Sequence, residues 1–471
     1  MRTDVTLSWP GRRDGMRTAP ATEEASASCR TVERTGDARH RLVLGDALDV
    51  AQALLTEGMA GKVDLVYLDP PYASQANYVH EARLDGPADG RVSRKMAYRD
   101  TWNGASGGVP AYLDMLAPRL AAMAELLSAS GTLWVHLDWR ASYLARVLLD
   151  EIFGRDAFLN EIVWRRAPNL GRQAASAQFG RTLDTILVYG RPDATLVPPT
   201  RLEPIEPSSV RIDDAGRPFT TAPRGDYTDE SIARLDAEGR VHRTPSGKVY
   251  IKYFLTKMPD GSHARERRID ALWTDIAPLR HAAASERTGF PTQKPRALLE
   301  RIITCATKPG AVVVDLFGGS GTTAEAAFAT GRVAIVGDRT PLAIATARSR
   351  LLRAGAGFLV QTLDASFPKA PEASIRVRSK RAAEGGWEVT LLEPKEPAAW
   401  AVDAEDSGSV FTCSWHGERT LGKKSVTCPM SALVPRPPRA VRVYDDSGAM
   451  TTEVVGKGAP QLALFGEGDA P

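Results

Sequence analysis

Four consecutive residues, Asp69, Pro70, Pro71 and Tyr72, bring together a carboxylate, a rigid carbonyl and an aromatic face. They follow an apolar run, Val63, Leu65, Val66, Tyr67 and Leu68, that reads as a buried β-strand. The two prolines end that strand, because proline cannot donate to a sheet ladder. The tetrapeptide therefore sits at a strand's carboxyl end, where open α/β sheets place their ligands. Such a set can hold a flat ring that carries an exocyclic amino group. A proline pair after a strand is also a plain stop signal, and both readings stand on these residues alone.

A second stretch, AVVVDLFGGSGTT over residues 311–323, narrows the choice. Its strand ends at Asp315, then Phe317, Gly318, Gly319, Ser320, Gly321 and Thr322 form a turn into a helical pattern. Glycines at a strand-to-helix turn let the backbone approach a ligand closely. No lysine follows them, so the turn is not a phosphate-cradling P-loop.

Together the two stretches resemble the DNA amino-methyltransferases, which use S-adenosylmethionine. The order, DPPY first and the FxGxG turn later, resembles the permuted class that includes restriction-modification subunits. Further matching stretches are Gly45-Asp46, GTLWVHLDW at 131–139, NEIVW at 160–164, DTILVYG at 184–190 and GFPTQKP at 289–295. The resemblance covers about residues 40–355. It implies an α/β fold, a Rossmann-like S-adenosylmethionine-dependent methyltransferase sheet. It also implies methyl transfer to the N6 amino group of an adenine flipped out of double-stranded DNA. Cytosine N4 is the same chemistry on a smaller ring and stays open. Asp69, Pro70, Pro71 and Tyr72 carry the catalytic role. Asp46 and Ala47 fall near the cofactor's adenine, with a helix N-cap as a compatible second role for Asp46. Thr292, Gln293 and Lys294 take its methionine end at a helix start. Asp315 and the turn from Phe317 to Thr322 complete the cradle. Asp338, about 20 residues past the glycines, takes the ribose hydroxyls.

The elements that must position these residues fall into segments. Residues 1–40 read as a disordered arm, or as an over-long start with Met16 as a later one. Residues 41–190 form the catalytic half, and 286–355 the cofactor half. Within the first, 73–109 reads as a mobile flap, carrying Arg94 and Lys95 towards DNA. Arg165 and Arg166 follow the NEIVW strand, placed for phosphates. His136 is read as structural rather than catalytic. Residues 191–285, rich in proline, glycine and charge, form an irregular target recognition region, with Lys252, Arg267 and Arg268 among its DNA-contact candidates. Residues 356–455 alternate like a separate small all-β domain of sandwich type. In the tail, 456–471, Gln461–Phe465 (QLALF) resembles the pentapeptide by which bacterial proteins dock on a sliding clamp.

Bulk properties set outer bounds. The 471 residues allow two to four domains at about 150 each. A net charge of +3 leaves room for a basic groove without demanding one. Four scattered cysteines fit a reducing cytosol rather than a disulfide framework. Cys413, His416 and Cys428 are too irregularly spaced for zinc, so no metal is expected. No apolar run reaches the ~18 residues of a membrane span, and no signal peptide opens the chain. A cytoplasmic, nucleoid-associated protein is expected, with double-stranded DNA as partner and a homodimer open. A catalytically idle DNA-binding module is the reading from another class; intact Asp69, Tyr72 and glycines argue against it. No helicase or nuclease signature accompanies them.

Overall fold

The structure, a computed structural model, describes residues 6–10, 12, 28–74, 76–83, 92–102, 108–168, 179–363, 367–369, 374–405, 410–421 and 426–455. Side chains 80–83, 92–95, 98, 99, 420, 421 and 426 fall outside that description. The tail with Gln461–Phe465 lies outside it too.

Val63–Leu68 and Val312–Asp315 are apolar runs with few polar interruptions, as strands buried on both faces require. They lie side by side and parallel, with Leu65 opposite Val313 and Val66 opposite Val314. Two motifs far apart in sequence thus end at the same edge of one sheet. Val333–Asp338 runs parallel beyond Val312–Asp315, and Leu127–Leu137 parallel on the far side of Val63–Leu68. The full order is Leu272–Trp273, Phe158–Arg165, Leu183–Gly190, Leu127–Leu137, Val63–Leu68, Val312–Asp315, Val333–Asp338, His40–Leu44, Phe358–Thr362, Arg30–Thr35 and Phe411–Thr412. Leu183–Gly190 is antiparallel to both its neighbours, so the sheet is mixed.

Helices Ala47–Leu54, Val109–Leu126 and Ser142–Phe153 bury apolar stripes against these strands. In Val109–Leu126 the stripe is Tyr112, Leu113, Leu116, Leu120 and Met123, at helical spacing. A proline in the first turn suits its start, where no intrahelical N–H bond is lost. Arg296–Ala306, Thr322–Ala329 and Pro341–Ala354 form a second set, packed on one another. Among the described residues no helix is long and apolar enough to cross a membrane.

Several segments differ from expectation. The arm expected over 1–40 includes a strand, Arg30–Thr35, antiparallel to Phe358–Thr362. Earlier still, Trp9 Nε1 donates to Asp114 at 2.7 Å and Arg12 pairs with Glu151 at 2.7 Å. The flap expected over 73–109 is a hairpin, Ala76–Arg83 against Val92–Asp100. Residues 356–455 hold additional all-β sheets, as expected. Two small sheets pack there around Trp400, Val402, Val441 and Val443. Phe411–Thr412 joins the large sheet beside Arg30–Thr35. The chain divides into Met1–Leu196 with Ala271–Pro471, and Val197–Asp270. The second unit is not irregular. It holds the sheet Arg211–Ile212, Pro218–Pro223, Val249–Lys257, His263–Arg268, Thr200–Ile205, with Val241–Arg243 also on Val249–Lys257 and one helix, Asp229–Ala237. Short strands rich in charge, such as HARERR, carry little apolar alternation and so read as loops.

Candidate active site

Both oxygens of the Asp69 carboxylate are engaged. Tyr72 donates its hydroxyl to Oδ1 at 2.5 Å, and Lys294 Nζ pairs with Oδ2. The ammonium also stands 5.4 Å from the Tyr72 ring centroid. Lys294, expected at the cofactor's methionine end, is therefore bonded to the Asp69 carboxylate. The backbone just after the tetrapeptide is fixed by Asp100, at the base of the hairpin. Its buried carboxylate accepts from Tyr72 N at 3.1 Å and from Ser74 N at 2.8 Å. Ala73, at φ 56°, and Thr292, at φ 60°, are non-glycine residues with left-handed backbone on the two loops that meet here. Such conformations cost about 1 kcal/mol or more and persist where the surroundings impose them.

Behind Tyr72 lies a buried polar chain. The Tyr72 ring stacks on His136 with centroids 6.3 Å apart and planes 24° from parallel. His136 bonds through Nδ1 to the Tyr67 hydroxyl at 3.0 Å and through Nε2 to Asp184 at 3.2 Å. Asp184 also accepts from Arg166 Nε at 2.7 Å. Burial alone would raise the Asp184 carboxyl, but the His136 bond and the Lys294 and Arg166 charges hold it below its ordinary range. Burial, followed by the Asp69 charge, drives the Tyr72 phenol well above its usual value, so Tyr72 acts as a neutral donor.

The glycine turn forms the second wall. A Cβ on Gly318 would stand 2.1 Å from Val336 Cγ1, so only glycine fits against the neighbouring strand. Gly319 N donates to Asp338 Oδ2 at 3.0 Å, while Thr340 N and Oγ1 donate to Oδ1. Asp315 accepts from Thr323 Oγ1 at 2.5 Å and Phe317 N at 3.0 Å. Burial pushes the Asp315 carboxyl up to about 7 against those bonds. Asp46 caps helix Ala47–Leu54, accepting from Leu48 N at 2.9 Å, and pairs with Arg119 at 2.5 Å.

Three residues expected to bind cofactor spend their recorded side-chain bonds inside the fold. Gln293 accepts from Thr288 and donates to Glu286 O at 2.7 Å. Ser320 and Thr322 share a bond at 3.0 Å, and buried Arg350 donates to Thr322 Oγ1 at 2.6 Å. Arg350 also reaches Glu286 O at 2.9 Å, while Thr322 Oγ1 donates to Lys294 O at 3.2 Å and ties the TQKP loop to the glycine turn. All three still line a cleft of about 1000 Å³, its open mouth included. Asp46, Asp69, Lys294, Phe317, Gly319 and Asp338 line it too.

The DNA-contact candidates separate. Arg165 is exposed at its strand end. Arg166, expected near phosphates, pairs with Asp184 and keeps part of its side chain exposed. The side chains of Arg94 and Lys95 lie outside the described residues. In the Val197–Asp270 unit, Lys252 sits 5.1 Å from the Phe219 centroid. There Arg267 approaches Glu203 at 3.4 Å, and Arg268 is exposed. Sequence reasoning missed Asp100, Asp184, Arg119 and Arg350 and set His136 aside. The available signal for His136 was a polar side chain inside an apolar strand. Among the described residues no group of three or more His, Cys, Asp or Glu could hold a metal ion.

A family model described as DNA methylase, N6_N4_Mtase, matches residues 63–347, more than half of the chain. The chain belongs to this DNA methylase family. It is similar to the type II methyltransferase M.EcaI of Enterobacter cloacae, 30% identical over 66% of this chain and 69% of that protein. The StyLTI Mod subunit, a type III restriction-modification enzyme of Salmonella typhimurium, is 25% identical over 62% of this chain and 50% of its own length. Among solved structures, the M1.HpyAVI–SAM complex aligns with TM-score 0.37 at 16% identity, over 66% of this chain and 98% of that one. The cytosine-N4-specific PvuII DNA methyltransferase aligns with TM-score 0.36 at 16% identity, over 69% and 89%.

The cofactor of such a DNA methylase is S-adenosylmethionine, and the residues present fit it. A side chain on Gly319 would stand 3.2 Å from the Phe290 ring, so bare backbone faces the cleft there. Asp338, at the end of the next strand, adds a carboxylate that can accept from ribose hydroxyls. The glycine turn, Asp338 and the Asp46 side of the cleft would hold the group. It supplies the methyl group.

Proposed function

We propose that this chain methylates the N6 amino group of an adenine flipped out of double-stranded DNA, as a permuted-class enzyme with DPPY ahead of the glycine turn. The observation that carries the reading is Asp69 beside Tyr72, at the end of a strand adjacent to the glycine turn. The amino nitrogen of adenine is a poor nucleophile, because its lone pair is delocalised into the ring. Asp69 accepts one N–H and the Pro70 carbonyl the other, which frees the lone pair from the ring plane. Positive charge then grows on nitrogen, where the Asp69 carboxylate stabilises it in a partly buried site, and one amino proton is released to solvent to leave the neutral methylamino group. Tyr72 offers its ring face to the extruded base, with base–aromatic stacking worth about 1–3 kcal/mol towards the cost of flipping. His136 backs that ring from behind. DPPY favours adenine; cytosine N4 is the second reading, on the same residues. No covalent enzyme intermediate is required.

The test is transfer of labelled methyl from S-adenosylmethionine to unmethylated DNA by purified protein. Asp69→Asn is expected to abolish transfer while cofactor binding, read by calorimetry, persists. Equal transfer by both proteins would remove Asp69 from the mechanism.

A further inference from the structure

Two strands carry a feature that the reaction site does not use. Leu127–Leu137 lies next to the DPPY strand, with Val135 opposite Leu68. It leads at once into Asp138, Trp139 and Arg140, at the edge of the sheet where the tetrapeptide emerges. Thr185 of the antiparallel strand Leu183–Gly190 stands opposite Leu137, which brings the residues before Leu183 to the same edge.

The surface there is aromatic and cationic at once. Trp139 is 47% exposed, Tyr143 61%, and Phe179 fully. Arg181 places its guanidinium 4.0 Å from the Trp139 ring centroid, and Arg140 places its own at 5.0 Å. Two like charges gathered on one indole repel each other. Asp138 pairs with Arg140. An aromatic plate flanked by two guanidiniums matches a nucleic-acid strand, with phosphates for the cations and a flat base or sugar for the ring. A solvated protein surface gains nothing from large exposed aromatics in one place.

We propose that Trp139, Arg140 and Arg181, extended by Phe179, form a platform for the DNA strand next to the extruded nucleotide. Phosphates sit on the two arginines, and a neighbouring unstacked base lies on the aromatic plate. This rests on the reading that DNA is the substrate, and it adds a contact outside the reaction cleft.

The experiment measures affinity for a mixed-sequence duplex of about three helical turns, and for one of its strands, across a salt series. S-adenosylmethionine affinity, read by calorimetry, reports whether each variant is folded. Arg140→Gln with Arg181→Gln is expected to lower the slope of log affinity against log salt by about 2, from near 0.9 per phosphate. Trp139→Ala is expected to weaken binding roughly 5- to 100-fold with little change in slope. Phe179→Ala, fully exposed and safe for folding, is expected to act in the same direction. Unchanged affinity and slope in variants that still bind cofactor would overturn the platform alone. Unaltered protein that binds cofactor but no DNA would overturn both the platform and the function it rests on.

Discussion

Asp69 has one partner for each carboxylate oxygen, Tyr72 and Lys294. Each oxygen keeps a second lone pair, so Asp69 can accept an N–H from a base while Tyr72 and Lys294 hold it in place. Lys294→Met is expected to lower kcat by about tenfold or more, because the carboxylate loses the cation that positions it. Cofactor affinity by calorimetry should change little. The reverse pattern would return Lys294 to the cofactor, as the sequence suggested. Asp315 offers a second test at this scale. Its folded pKa is raised from 3.8 to about 7 by burial. Between those values the folded protein holds a proton that the unfolded chain has released, so stability falls as pH rises through that window. The cost is on the order of 4 kcal/mol and persists above it. Asp315→Asn should flatten that part of the stability profile in urea unfolding. An unaltered slope would place the pH dependence elsewhere.

At the scale of elements, the glycine turn is the tightest constraint. Gly321 has φ 74°, and a Cβ there would lie 2.5 Å from Ala347 Cβ in helix Pro341–Ala354. Gly321→Ala should cost about 2–4 kcal/mol, from left-handed strain and overpacking together. A thermal melt reads the loss, and weakened cofactor binding should accompany it; an unchanged melting temperature would show that the turn can shift. This turn was legible in sequence because glycine spacing is a local signal, as was the proline stop at the DPPY strand. The site's support was not. Asp100, Asp184 and Arg350 are ordinary polar residues until the fold brings them to Ser74, His136 and Thr322. Nothing in their own neighbourhoods marks them. The hairpin over Ala76–Asp100 was missed for a related reason, since its strands alternate weakly and carry many charges.

At the scale of the molecule, Glu33 joins the sheet edge to the C-terminal β layer. It is fully buried and bonds Arg348 at 2.7 Å, Arg442 at 3.1 Å and the Tyr444 hydroxyl. Burial would raise its pKa, but the two guanidiniums and Tyr444 hold it below the usual carboxylate value. Its contribution is therefore present at neutral pH and lost as pH falls. Glu33→Ala leaves two buried cations without their anion, and should cost about 3–5 kcal/mol in chemical denaturation. A loss under about 1 kcal/mol would mean that the layer holds by packing alone. The sequence showed the alternation of this layer, yet not its attachment. The joining residues lie in segments more than 300 positions apart, as Glu33 and Arg348 show.

In the proposed mechanism Asp69 drives methylation of an exocyclic amino group on a DNA base. The most direct measurement is nucleoside mass spectrometry of DNA from a host lacking base methylation that expresses this chain, with Asp69→Ala as control. N6-methyladenine is expected with the unaltered chain and none with the control. N4-methylcytosine would keep the mechanism and correct the substrate. No modified base, from folded protein that binds S-adenosylmethionine, would contradict that mechanism.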